Sequence, residues 1–170
     1  ASQVQIMDYN RVVRDLGGLS EAAFLTAVGD RYAIRPSVVP VRPMNSGVCG
    51  MYLGGRWYEL TIRPDLPQAS DPVRRLDVST LAEQILAPLL GIEDLRRDTR
   101  IDFVGGMRGL SELERRVDSG EMAVAFAMYP TQMSDLMAVA DAGQVMPPKS
   151  TWFEPKLADG LVSHLLDPAP

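Results

Sequence analysis

Apolar and polar residues alternate from Val4 to Val13, and that period of two predicts a strand, which the pair Gly17-Gly18 then breaks. Ser20 stands where a helix N-cap would, and Ala22, Phe24, Leu25 and Val28 supply an apolar stripe for a helix reaching about Tyr32. Residues 33–50, with three prolines and two glycines, read as extended or irregular chain. From Met51 to Ile62, β-formers flank Gly54-Gly55 on both sides, which predicts a hairpin. Residues 64–72 read as a surface loop.

The pattern then changes to helical spacing at Leu81, Ile85 and Leu89. Thr80 and Glu83 are spaced as a capping box, Pro88 is placed to bend or shorten the helix, and Gly91 to stop it. A short buried strand is predicted over Ile101 to Val104. Ser111 and Glu114 suggest a second capping box, opening a helix that ends near Gly120. The unbroken apolar run from Met122 to Tyr129 predicts a central strand, and Thr131 a cap for a last helix stopped by Gly143. An extended stretch and a final strand over residues 160–166 would close the chain. The order β, α, β, β, α, β, α, β, α, β predicts an α+β (mixed α/β) fold, a mixed β-sheet with about four helices packed on it, in a single domain over 1–170 with an extended closing segment at 146–170.

Composition narrows the partners. The 170 residues are 46% hydrophobic and 23% charged, ordinary for a globular chain, and the formal charge is −5. That balance speaks against a broad nucleic-acid or anionic-membrane surface. The arginine groups Arg74-Arg75, Arg96-Arg97-Arg100 and Arg115-Arg116 each lie among acids, the signature of a solvated mixed face. Cys49 is the sole cysteine, so neither an intrachain disulfide nor a cysteine-based metal site is available. His164 is the sole histidine, and its apolar neighbours suggest a strand position without a catalytic role. No window holds the roughly 20 apolar residues of a membrane helix and no signal peptide opens the chain, so a cytoplasmic setting is expected. The first strand begins without an initiator Met, which predicts a piece of a longer protein.

Two stretches carry candidate chemistry. The turn from Gly105 to Gly109 lies between a strand and a capped helix. Its glycines fit a plain tight turn, yet the amides of Gly105 and Gly106, the helix end and Arg108 also form a candidate anion site. Its spacing is not the G-x-G-x-x-G fingerprint. Asp102, just before it, reads either as a functional carboxylate or, the preferred reading, as the partner of a nearby arginine. The second stretch holds Lys149, Ser150, Thr151, Glu154 and Lys156 on a proline-stiffened loop. Lys149-Ser-Thr lacks the preceding glycine and following helix of a P-loop. One reading gives the loop a ligand or a partner domain. The other makes it a wrapping segment anchored by Trp152 and Phe153. Trp57 and Tyr58 are expected to pack in the sheet.

Five blocks together, Asp8 to Leu16, Met51 to Tyr58, Arg100 to Leu110, Val117 to Met122 and Met146 to Val162, resemble the domain of unknown function 1015 family. The Met-Pro-Pro-Lys-Ser-Thr-Trp-Phe-Glu-Pro-Lys-Leu run beginning at Met146 is the most specific of them. Family members are bacterial and archaeal cytoplasmic proteins, typically more than twice this length, so the resemblance implies a C-terminal portion. Their N-terminal portion typically carries an Ala-Asp-Gly-His-His-Arg motif similar to that of ParB and sulfiredoxin-like proteins, some of which phosphorylate free serine. The motif is absent here: Ala158-Asp-Gly160 is followed by Leu161 and Val162. The resemblance therefore implies a domain with no cofactor of its own, covering a nucleotide or phosphometabolite site built mainly by the missing N-terminal half. Phosphates would meet Lys149, Ser150, Thr151, Lys156, Arg108, Gly105 and Gly106, and Asp102 or Glu154 would help hold Mg²⁺ with the nucleotide. The alternatives are a non-catalytic interaction domain, docking on the N-terminal half or on a second copy as a homodimer, and a DNA-associated ParB-like protein.

Overall fold

The opening alternation folds as two strands that meet at Asp8, β1 (Gln5–Met7) and β2 (Tyr9–Val13). In the computed structural model, which describes residues 5–65 and 69–155, these are followed by α1 (Glu21–Gly29), β3 (Tyr32–Ser37), β4 (Val48–Leu53) and β5 (Arg56–Ile62). Helix α2 spans residues 77–90, β6 is Ile101–Gly105, and a 3₁₀ turn (Gly106–Arg108) leads into α3 (Gly109–Asp118). Then come β7 (Val124–Ala127), α4 (Met133–Asp141) and β8 (Trp152–Glu154). Six strands form one sheet in the order β3-β5-β4-β7-β2-β6, and β1 pairs with β8 in a separate ribbon. The α+β class with four helices is as the sequence predicts. Every strand pairing among the described residues is antiparallel, which refines the mixed-sheet expectation.

Adjacent strand residues point to opposite faces, so Val12 and Val13 enter different cores. One face packs Val13, Met51, Leu60 and Phe126 against Phe24 and Val28 of α1, Leu81 and Ile85 of α2, and Val139 of α4. The other packs Val12, Tyr52, Trp57 and Ala125 against Leu113 of α3 and Val41 of the β3–β4 connection. Strand β7 is central and fully buried, as its unbroken apolar run requires. The hairpin turns at Gly54 and Gly55, whose φ values of 55° and 75° suit glycine in a tight two-residue turn.

Several boundaries differ from the sequence reading, each for a physical reason. Helix α1 stops at Gly29, and Tyr32 instead opens β3, a strand absent from the sequence reading of 33–50. Pro36 is tolerated there because β3 is an edge strand. Helix α2 begins at Asp77, and the Thr80–Glu83 capping box does not form because Glu83 accepts two bonds from Arg74, both at 2.9 Å. Its middle, Ala82–Leu86, is a π-helical segment directly before Pro88, whose missing N–H interrupts the ordinary ladder. Gly91 ends it in the left-handed conformation, as expected. The Ser111–Glu114 box does not form either: α3 starts at Gly109, and Glu114 accepts instead from Trp57 Nε1 at 2.7 Å. The last helix is capped by Gln132 with Asp135 as reciprocal partner, one residue beyond Thr131. The expected strand at 160–166 and His164 lie outside the described residues. Among the described residues no helix is long and apolar enough to cross a membrane.

Candidate functional site

The sheet register brings several chain ends to one edge of the molecule. Tyr9, at the start of β2, faces Gly105 at the end of β6, and Arg11 faces both Phe103 and Phe126. Gly50 faces Ala127, so the start of β4 and the end of β7 point the same way. The closing segment crosses this end. Thr131 donates its hydroxyl to the Ser150 carbonyl at 2.8 Å, and β8 pairs with β1 from Gln5↔Glu154 to Met7↔Trp152. Trp152 meets Tyr9 edge to face at 5.3 Å and covers Gly105, where an added Cβ would lie 2.9 Å from the indole. Trp152 thus anchors the segment, and its Nε1 donates to Glu154.

Alternation along β2 puts Tyr9, Arg11 and Val13 on one face. Arg11 is 1% exposed. Its Nη1 donates to the Tyr9 carbonyl, its Nη2 to the Lys149 carbonyl at 2.9 Å, and its guanidinium stands 5.7 Å from the Phe103 ring centre. Burial pulls the guanidinium pKa down to about 10, with Tyr9 acting weakly the other way. Lys149 adopts a φ of 58°, uncommon for a residue with a side chain, and holds its Nζ 5.9 Å from the Tyr9 ring and 5.8 Å from the Phe103 ring. Among the described residues neither cation has a carboxylate partner.

On the opposite face, the buried Asn10 links two elements: Nδ2 donates to Asp8 Oδ2 at 2.7 Å, and Oδ1 accepts from the Met128 amide at 2.9 Å. Arg42, from the β3–β4 connection, approaches Asp8 at 3.8 Å.

The residues singled out in the sequence fall as follows. The Gly106 amide donates to the Asp8 carbonyl at 2.8 Å, and the Asp8 carboxylate lies against the turn, so the protein's own anion occupies that surface. Arg108 is exposed in the 3₁₀ turn, where its charge helps hold Glu112 low, after the larger effect of Arg115. Asp102 accepts from Arg116 Nη1 at 2.8 Å, the pairing preferred from the sequence. Burial acts to raise its pKa, but the Arg116 bond and charge prevail and hold it below the usual carboxylate range. Ser150 is buried, Thr151 half-buried and Lys156 outside the described residues. With Asp102 on Arg116 and Glu154 on Trp152, the two carboxylates considered for Mg²⁺ are engaged separately, and no three His, Cys, Asp or Glu side chains converge on a metal position among the described residues. Arg11, Asp8 and Asn10 were not singled out, although charged and amide groups inside a β-forming run are a legible signal.

A cleft of about 890 Å³ opens at the same end of the sheet, between Ser46, Arg63, Arg74, Asp77, Tyr129 and Thr131. Asp77 accepts from the Gly47 amide at 2.7 Å and from the Ser46 hydroxyl at 3.0 Å, yet burial dominates and raises its pKa. A carboxylate raised on folding stabilises below its unfolded value, and that contribution is lost as pH rises through the folded value. Wild type is therefore expected to lose stability relative to Asp77→Asn as pH climbs above the ordinary carboxylate range, read by urea denaturation at a series of pH values. A pH-independent difference would contradict the assignment.

Residues 1–79 match the family model described as Protein of unknown function (DUF1015). No curated protein matches the chain. Among solved structures, a mutant free serine kinase in complex with AMP is similar with a TM-score of 0.51 at 11% identity, over 90% of this chain and 55% of the kinase chain. A second mutant of that enzyme, also with AMP, gives the same figures. At this identity the likeness is one of fold, and the chain spans about half the length of those kinase chains.

Proposed function

From the premise that the chain belongs, through residues 1–79, to the DUF1015 family, we propose that it is one part of a larger nucleotide- or phosphometabolite-handling protein, a small-molecule kinase. In this reading it supplies a phosphate-contacting wall to a site completed by residues outside this chain, and any Mg²⁺ enters with the nucleotide. The observation that carries the reading is Lys149: an exposed ammonium held over two rings at the sheet end, with no acidic partner among the described residues. The fold shared with a free serine kinase bound to AMP supports it, since that likeness also spans only half of the kinase. Lys149, with Arg108 as a second exposed cation, would take the phosphate oxygens.

A charge-assisted contact contributes about 1.5–3 kcal/mol, so Lys149→Ala in the full-length protein is expected to weaken ADP or AMP binding by roughly 10- to 100-fold in calorimetric titration. Binding by wild type with unchanged affinity in the variant would remove Lys149 from the site. A second reading, an interaction domain docking on the rest of the protein or on a second copy, is favoured by Val38, Val39 and Met44, all exposed on the β3–β4 connection. Full-length protein that binds no nucleotide would favour this second reading. The net charge of −5 weighs against DNA association.

A further inference from the structure

Arg11 carries a charge into the interior, and hydrogen bonds to two carbonyls engage its Nη1 and Nη2 without neutralising it. A second cation shares the Phe103 ring, whose centre is 5.7 Å from the Arg11 guanidinium and 5.8 Å from Lys149 Nζ. The two are also joined through the chain, because Arg11 Nη2 holds the carbonyl of the residue whose ammonium is presented. The carbonyl that Arg11 holds belongs to a residue in the left-handed backbone conformation, whose ammonium lies over Tyr9 and Phe103. Two like charges held at one ring repel each other, and an anion between them would offset that repulsion. Arg11 is too buried for direct contact, but its field in a medium of low dielectric reaches a ligand seated on Lys149.

We propose that Arg11 and Lys149 form a single two-cation site for a doubly charged phosphate group, of a phosphomonoester or a nucleotide terminus. Lys149 contacts the oxygens, and Arg11 is the positioning residue that sets the Lys149 backbone and supplies the second charge. The proposal rests on the phosphate reading given above and specifies its ligand: two fixed positive charges favour a dianion over a monoanion such as a carboxylate.

The test titrates inorganic phosphate and ADP into the full-length protein and its Lys149→Met, Arg11→Met and Arg11→Lys variants between pH 5.5 and 8, with folding followed by thermal denaturation. Phosphate monoesters take their second charge near pH 6. Wild-type affinity is expected to rise as the ligand becomes dianionic. Arg11→Met should lose at least tenfold in affinity together with most of that rise, which a purely structural residue would not affect. Arg11→Lys keeps the charge without the fork between two carbonyls, so it should keep the rise and lose roughly three- to tenfold in affinity. Loss in Lys149→Met with wild-type affinity and pH response in Arg11→Met would overturn the proposal and leave the phosphate reading standing. Should Arg11→Met fail to fold, unchanged affinity in Arg11→Lys would overturn the positioning role. Wild-type protein that binds neither probe would overturn both.

Discussion

Replacing Asn10 by alanine should lower the free energy of unfolding by about 3–5 kcal/mol, a loss as large as that of a big core truncation. Asn10 is fully buried and serves two partners at once. One is the Met128 amide just beyond central strand β7, and an orphaned buried amide costs about 1–3 kcal/mol. The other is the Asp8 carboxylate, 5% exposed, for which the loss of a 2.7 Å donor costs more because the group is charged. Arg42 is the one alternative in view, at 3.8 Å and from an exposed side chain. Urea denaturation measures the loss. A value below about 1 kcal/mol would mean that Arg42 moves in to replace the amide. The Asp8→Ala/Asn10→Ala cycle separates the two partners, since without its carboxylate the site retains only the Met128 part of the cost.

The elements that were legible in the sequence are those whose signal is local. The hairpin at Gly54-Gly55 needs only its own turn residues and flanking β-formers, and β7 only its apolar run. The capping boxes failed because the same spacing serves other ends: Glu83 went to Arg74, and Glu114 crossed to Trp57 in a different element. Strand β8 is three residues long and exists because β1, nearly 150 positions earlier, pairs with it, a contact that no window of sequence contains. The candidate site divides along the same line. Lys149 and the Asp102–arginine pairing were readable from composition and spacing. Arg11 was not, although the alternation that places Val13 in the core places Arg11 on the same face. A charged residue in register with core positions is the signal that was present, and only the assembled sheet shows that it faces Phe103 and Lys149.

Gly106→Ala tests how closely the Asp8 carboxylate fills the space beside the glycine turn after β6. The φ of Gly106 is not positive, so alanine meets no backbone penalty there, and the whole effect is contact. Its Cβ would come 2.1 Å from Asp8 Oδ1 and 2.7 Å from Asp8 Cγ, with the Asp8 carbonyl oxygen at 3.1 Å. The carboxylate cannot retreat freely, because Asn10 holds its other oxygen. Overpacking of this kind costs about 1–3 kcal/mol, and the coupled loss of the Asn10 bond places the expected value at the upper end, near 3 kcal/mol. In an Asp8→Ala background the two nearest obstacles are gone and the Asp8 carbonyl oxygen stands at 3.1 Å, so the cost of Gly106→Ala should fall below about 1 kcal/mol in a denaturation cycle. Equal costs in both backgrounds would assign the clash to the backbone. The expected result instead assigns it to the Asp8 side chain, the native carboxylate that fills the space beside this turn.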